Sequence, residues 1–437
     1  MKKAIYWFSN DLCLQDNRSL AALLTQADQI AFVYVVDPRW FEADNYQHKR
    51  LGQHRWRLIC QSMQQLDSQL RAHGHQLSLF SGHVEQVMIS LVKEHQINAV
   101  GHCAQIGLYE QRAWQKIQQS LPEVEFVSDW DTTLFSERQL TLSKQHLSSF
   151  SKFRKLVEKE PLHPFNPTVI SLRSLPSPLV LPTTTPDALG TDWKHLPTFS
   201  INSSTLKPHD ESEFHGGELN VIEHLEGYFQ TLHPRSYKQT RNALDGWQNS
   251  TKMSHFLALG NLSARQLWHQ LKQYEVQYGA NESTYWIGFE LLWRDYFQWS
   301  ALLLNDQLFR FQGGAERAPS TRYNEERFQQ WCEGNTPFSL VNALMTELNQ
   351  TGYMTNRGRQ IAASCLVNEL GVDWRFGAAY FQQQLVDHDV ASNWGNWQYI
   401  AGVGADPRGG RHFNIEKQTL QFDPDGSYRN KWLGTSS

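Results

Sequence analysis

Closely spaced cysteines are missing from this sequence. Its five cysteines, Cys13, Cys60, Cys103, Cys332 and Cys365, lie far apart, with no CxxC pair and no HExxH. That scatter argues against a disulfide framework, a structural zinc and an iron–sulfur cluster, so no metal is expected. A reduced, cytoplasmic setting follows as the expectation. Long apolar runs are missing too. The basic opening "MKKAIYWFSND" holds only the short run Ala4–Phe8, too little for a signal-peptide core. No stretch approaches transmembrane length, so no membrane partner is expected. Nor does one sign of charge dominate. Forty Lys and Arg stand against 44 Asp and Glu, a net charge of −4. Any nucleic-acid contact must then come from a local basic patch. Internal repeats and long low-complexity tracts do not occur.

Aromatic residues are what the chain has in plenty. It carries 16 tryptophans in 437 residues, and 12% of it is aromatic. Core packing accounts for most of these rings. Ten of the tryptophans follow residue 240, however, so the C-terminal half has a further use for indoles.

The length calls for two or three domains. In the first 130 residues, short apolar runs alternate with helical patterns. "AIYWF" (Ala4–Phe8) and "IAFVYVVD" (Ile30–Asp37) suit buried parallel strands, with "LSLF" and "NAVGH" as weaker ones. This predicts an α/β domain with a doubly wound parallel sheet over 1–130. Residues 131–213 are rich in Pro, Ser and Thr and read as a linker crossing between domains. Residues 214–437 read as an all-α domain, with long helical patterns at Thr284–Leu304, Arg359–Leu370 and Asp373–Val386.

Several motifs in that half carry chemistry. "GVGADPRGG" lacks both a preceding strand and the third glycine of a dinucleotide fingerprint, so it reads as a turn. "NSTKMS" (Asn249–Ser254) sets hydroxyls and a lysine before a helix. That pattern suits a phosphate site or a plain helix cap. In "FELLWRDYF", Glu290, Trp293, Arg294 and Phe297 share one helical face. They form either an internal Glu290–Arg294 pair or a pocket wall that stacks a planar ligand. "TNRGRQ" places Arg357 and Arg359 at a helix start, where cations oppose the macrodipole and want a carboxylate or phosphate partner. Asp387 and Asp389 suit a polyol, a ribose or an arginine better than a metal, for want of a third ligand.

Taken in order, "WFSNDLCLQDN", "YKQTRN", "NSTKMS", "FELLWRDYF", "TGYMTNRGRQ" and "DHDVASNWGNWQYIAGVGADPR" resemble the motifs of the photolyase/cryptochrome family of blue-light flavoproteins. The resemblance spans nearly the whole chain and is strongest to DASH-type cryptochromes. It implies an N-terminal antenna-binding domain and a C-terminal domain holding FAD. Tyr237, Ser250, Thr251, Lys252, Met253 and Ser254 are implied FAD contacts. Asn356 and Arg359 would flank the isoalloxazine, with Arg359 paired to Asp387. Asp387 and Asp389 would bond the flavin and its ribityl or adenosine side, and Asn393 would face flavin N5. Trp397 and Trp374 match the nearest and middle tryptophans of a photoreduction chain, while Trp394 is left to packing. Glu290, Trp293 and Arg241 match positions at a lesion cavity. Glu110 matches a carboxylate that contacts folate, which implies a reduced folate (methenyltetrahydrofolate) as antenna.

The sequence departs from the family's pattern in two places. Thr321 stands where the third, surface tryptophan belongs, with Tyr323 and Trp331 nearby. Ser9 and Cys13 stand where the N-terminal signature carries arginines. The function implied is light-driven repair of cyclobutane pyrimidine dimers by a photolyase-type lyase, chiefly in single-stranded or loop-opened DNA and as a monomer. The alternative is a blue-light photoreceptor without repair. The sequence ends on "WLGTSS", with no long tail for signalling, which weighs against that alternative.

Overall fold

A computed structural model of the chain describes residues 1–159, 163–181, 188–190, 214–404 and 410–434. Strand β1 (Lys3–Phe8) shows why the N-terminal half is layered. Its alternate residues face opposite cores. Ala4, Tyr6 and Phe8 pack with Leu20 and Leu23 of the helix Arg18–Leu24 and with Leu58 and Met63 of Gln53–Arg71. Ile5 and Trp7 pack with Met88 and Leu91 of Val84–His95 and with Ile117 of Leu108–Ser120. A strand buried on both faces needs apolar residues throughout, which is why these segments lack polar alternation.

On one side β1 pairs in parallel with β2 (Gln29–Val36), and β2 with β3 (Leu77–Ser81). On the other, β1 pairs with β4 (Ala99–His102), and β4 with β5 (Glu125–Val127). The sheet order is thus β5-β4-β1-β2-β3. Its direction of growth reverses beside β1, and the strand ends part there to leave a crevice.

The stretch 131–213, expected to be a linker, supplies structure where it is described. Ser177–Pro178 pairs in parallel with the start of β2, and Ala188–Gly190 pairs antiparallel with β3. It also forms the helix Phe150–Lys159, in which Phe150, Phe153 and Val157 make one buried stripe at helical spacing. Of the glycine-rich turn expected at Gly402–Gly410, residues 405–409 lie outside the described residues.

The second half is helical. Its longest helix, Glu282–Leu304, starts in a capping box between Asn281 and Thr284. Asn356–Ser364 continues into a wider π turn, Cys365–Glu369, before Gly371 turns left-handed at φ 64°. Trp374–Gln384 and Val390–Ala401 follow, capped by Asp373 and Asp389. Trp331 and Trp374 are fully buried, so packing does claim much of the indole content. Among the described residues, no helix is long and apolar enough to cross a membrane.

One buried ion pair ties the halves together. Arg265 Nε lies 3.0 Å from Asp16 Oδ2, and both side chains are almost wholly shielded from solvent. Arg265 also donates to the carbonyls of Thr133 and Asp16, each at 3.1 Å. With its donors satisfied in this way, a buried guanidinium is tolerable.

Candidate functional site

A cavity of about 580 Å³ opens into the helical half. Tyr237, Arg241 and the whole segment Ser250, Thr251, Lys252, Met253 and Ser254 line one side of it. Glu290 and Trp293 line another, and Asn356, Arg359, Asp387, Asp389, Asn393 and Trp397 the rest. The chain therefore gathers at one place motifs that are separated by long stretches of sequence. Two expected residues lie elsewhere. Trp374 is fully buried behind the wall, and Glu110 lines a second cavity.

Local folding sets each of these groups. Lys252 has a left-handed backbone, φ 51°, which is uncommon for a residue with a side chain. The turn brings its Nζ to 2.9 Å from Ser250 Oγ and within 5.4 Å of the Tyr353 ring. Arg359, on the first turn of its helix, sends Nη2 to both oxygens of Asp387, at 2.9 and 2.8 Å. Burial pushes the Asp387 carboxyl up, but the Arg359 charge and hydrogen bonds outweigh it and hold the group below its ordinary value. Asp389 caps its helix through Ser392 N at 2.7 Å and accepts from Gln298 Nε2 at 2.6 Å. Asn393 donates from Nδ2 to Ala378 O at 2.9 Å. That tie fixes the amide and leaves its oxygen and one N–H for a ligand.

The helical face read from "FELLWRDYF" is divided differently from its i,i+4 spacing. Glu290 pairs with Arg241 rather than with Arg294. Arg294 instead donates to the carbonyls of Thr132 and Leu257. Burial holds the Glu290 carboxyl above its ordinary value, against the pull of Arg241. Trp293 is stacked on Phe150, with ring centroids 3.7 Å apart and planes within 10°. Trp286, also on the cavity wall, lies under two cations, Arg241 at 4.7 Å and Lys238 at 5.6 Å. Aromatics interleaved with cations at a cavity mouth form a surface suited to nucleic acid.

Arg357, expected beside Arg359, turns away from the cavity. It lies over the rings of Phe422 and Phe413, at 5.0 and 5.6 Å.

The second cavity, about 470 Å³, occupies the crevice at the carboxyl ends of β1, β2 and β4. Trp7, Asp37, His102 and Glu110 belong to the sheet half, while Arg294, His388 and Trp394 come from the helical half. Glu110 sits in the first turn of its helix, and burial raises its carboxyl above the ordinary value. Ser9 lines this cavity, whereas Cys13 is buried and points its thiol at Gln15 O, 3.2 Å away. Leu257, Ala258, Arg294, His388 and Asp389 line both cavities and form the partition between them.

Comparison with known proteins agrees along the whole chain. A family model for DNA photolyase matches residues 4–169, and one for the FAD binding domain of DNA photolyase matches 286–436. The cryptochrome DASH of Idiomarina loihiensis is 43% identical over 434 residues, covering 99% of this chain and 93% of that protein. The chain belongs to the photolyase/cryptochrome family. The cryptochrome DASH of Vibrio parahaemolyticus is 42% identical over 444 residues, covering 100% of this chain and 95% of its own. The solved structure of a Synechocystis cryptochrome superposes with a TM-score of 0.89 at 35% identity, covering 99% of this chain and 89% of that one. An archaeal photolyase from Sulfolobus tokodaii, solved with two FAD molecules, reaches 0.76 at 26% identity, covering 99% and 90%.

In this photolyase/cryptochrome the helical half is the FAD-binding domain, and its large cavity suits that cofactor. Hydroxyls and a lysine on one wall can donate to phosphates, and a fixed amide and a buried indole on another can meet a flat ring. Sequence reasoning missed Phe150, Trp286 and His388. Phe150 lies far from Trp293 in the chain, and no local pattern announces their contact. Trp286 shares a helix with Glu290, and Lys238 and Arg241, four and seven residues after Pro234, were its only signal.

Proposed function

We propose that this protein repairs cyclobutane pyrimidine dimers in single-stranded or loop-opened DNA under blue light, as a monomeric, cytoplasmic lyase of the photolyase type. The observation that carries this reading is the joining, in one cavity, of the lesion-side group Glu290, Arg241 and Trp293 with the cofactor-side group Asn393, Arg359 and Asp387. FAD, when bound, supplies the light-driven electron. The residues do the rest. Lys252, Ser250 and Thr251 hold the phosphates. Asn393 meets the edge of the ring, and the Arg359–Asp387 pair fixes one side of it. Trp397 closes the inner face. At the mouth, Trp293 and Tyr399 offer rings to a flipped pyrimidine dimer, with centroids 6.4 Å apart and planes at 73°. Phe150 braces Trp293 from behind. Glu290, with its raised carboxyl, is placed to hydrogen-bond the split pyrimidines while Arg241 binds the strand. A dimer must leave its stack to enter, and that costs least where the strand is already open. The net charge of −4 leaves little general attraction for duplex DNA.

The second cavity is read as the antenna site, with a reduced folate such as methenyltetrahydrofolate as its ligand. The buried Glu110 carboxyl gives a pterin's amino group an acceptor, and the partition of five residues keeps the two ligands close.

One experiment tests the main reading. The purified protein is given FAD, reduced, and illuminated with a thymine-dimer oligonucleotide in single- and double-stranded form. Repair of the single strand supports the reading. Bound flavin with no repair of either strand transfers it to a photoreceptor. Failure to bind FAD removes the site assignment.

A further inference from the structure

Thr321 leaves this chain without an indole at the surface end of its tryptophan path, and an aliphatic hydroxyl cannot refill an oxidised indole. Something else must do so if Trp374 is to be reset. Tyr323 is near in sequence and 39% exposed. Its ring contacts, however, are Phe376, stacked at 4.0 Å, and Phe328 at 6.3 Å. Phenylalanine gives up an electron far less readily than indole or phenol, so these contacts insulate Tyr323 rather than connect it.

Trp397 meets the indole of Trp331 at 6.1 Å, but Trp331 is fully buried and its other ring contacts, Tyr380, Phe328 and Phe381, stay inside the core, so a path that reaches solvent leaves Trp397 by another side. Trp397 lies against the backbone of Gly377, where an added Cβ would fall 2.3 Å from the indole. This is the first turn of the helix that begins with Trp374. Trp374 meets Trp394 edge to face, with ring centroids 5.9 Å apart and planes at 77°. Trp394 in turn lies 6.1 Å from Tyr46. Tyr46 belongs to the sheet half, is partly exposed and lines the second cavity. The Arg375 guanidinium stands 5.8 Å over its ring. Burial holds the Tyr46 phenol above its ordinary value against the pull of Arg375, so the resting ring keeps its proton; the cation opposes positive charge on an oxidised phenol, whose proton then leaves.

Resting on the flavoprotein reading above, we infer that the oxidising equivalent left on Trp397 travels through Trp374 and Trp394 to Tyr46. One electron moves from Tyr46 to Trp394, from Trp394 to Trp374, and from Trp374 to Trp397, which has given one to the excited cofactor. The O–H bond of Tyr46 breaks, and its proton passes to water in the second cavity. Each tryptophan ends as it began. The net change is one neutral tyrosyl radical and one added electron on the cofactor. Trp394 is therefore a relay, and the path ends at the junction of the two halves rather than on the outer surface of the helical one.

The test is time-resolved electron paramagnetic resonance on the FAD-loaded, oxidised protein, without DNA or antenna. Tyr46→Phe, Trp394→Phe and Tyr323→Phe are compared, each checked for fold by circular dichroism and for flavin content. The unaltered protein should show a tyrosyl radical under blue light. Tyr46→Phe should lose it, Tyr323→Phe should keep it, and Trp394→Phe should leave a short-lived tryptophan radical in its place. A tyrosyl signal that survives Tyr46→Phe, or disappears in Tyr323→Phe, overturns the path. So does an unchanged radical lifetime in Trp394→Phe, or the absence of any tyrosyl radical in the unaltered protein. If Trp394→Phe does not fold, Trp394→Tyr keeps an oxidisable ring there, and the Tyr46→Phe result decides. The repair assay on chemically reduced protein bypasses this path, so its failure would count against the functional reading alone.

Discussion

Asp387 takes both of its oxygens to a single nitrogen of Arg359, across 28 residues of sequence. The aspartate is buried and the arginine half-buried, so neither is at ease without the other. The pair closes one side of the larger cavity and predicts a specific acid sensitivity. The carboxyl is held below its ordinary value, so the unfolded chain binds its proton first as pH falls. Stability from this group is complete above the unfolded value of about 3.9 and is lost as pH falls through the lower, folded value. Asp387→Asn removes that acid step. It also leaves Arg359 unpaired, at a cost of about 1–3 kcal/mol, the penalty for stranding a buried donor. Flavin retention measured across acid pH should show the step in the unaltered protein and a weaker, flatter profile in the variant.

Glu290 has the opposite shift and a different consequence. Burial raises its carboxyl, so it keeps a proton to higher pH than a free glutamate. By the same linkage the group favours the fold most below the unfolded value, and that contribution is lost as pH rises through the folded one. If the proposed repair reading holds, a protonated Glu290 donates a hydrogen bond to the lesion, so repair yield should fall as pH rises through its raised value. Glu290→Gln should flatten that dependence. Glu290→Ala should lower the yield about tenfold to a hundredfold, the worth of a hydrogen bond to a charged group at about 1.5–3 kcal/mol. Flavin content should hardly change. Loss of FAD would instead make this part of the helix a support of the cofactor pocket.

The Glu290 result shows which part of the site was legible in sequence. Helical spacing placed Glu290, Trp293 and Arg294 on one face, and that is where they are. Spacing alone does not choose among competing partners, and Arg241 took the carboxylate while two carbonyls took Arg294. The strands were legible because burial on both faces forces uninterrupted apolar runs. The helix Phe150–Lys159 was not, because Pro, Ser and Thr around it hid a stripe of only three apolar residues. Trp394 reads in the sequence as packing, and its contact with Trp374 depends on how two helices cross, which no local pattern encodes.

Trp397 makes the next prediction. Its indole is 2% exposed, lines the flavin cavity and packs on Phe381 and Trp331 at 5.1 and 6.1 Å. Trp397→Phe keeps most of that packing but removes the oxidisable ring. Blue-light reduction of bound FAD should slow strongly, while FAD stays bound and thermal stability changes little. Photoreduction at the original rate would mean that the first electron comes from elsewhere.

The Asp16–Arg265 pair predicts stability without any light chemistry. Both groups are buried and hydrogen-bonded across the two halves. Arg265→Met leaves the Asp16 carboxylate uncompensated and should destabilise the protein by about 3–5 kcal/mol. Replacing both residues with apolar ones of similar volume should recover much of that loss, because neither charge is then stranded. Denaturant unfolding of the two variants measures the difference. Equal losses in both would mean that the contact matters for shape rather than for charge.

Glu110 tests the reading of the second cavity as an antenna site. Its carboxyl lies at the crevice beside β1 and β4, and none of Glu290, Arg241 and Trp293 lines that space. Glu110→Gln keeps the shape but replaces a carboxylate oxygen with an amide nitrogen, which repels a pterin amino group instead of accepting from it. The variant should lose a reduced folate on purification or on titration. Repair driven at the folate's absorption should fall, while repair driven through the flavin itself should stand. Retention of folate by both Glu110→Gln and Glu110→Ala would place the pterin elsewhere in the crevice. Recovery of a flavin there instead would replace the folate assignment.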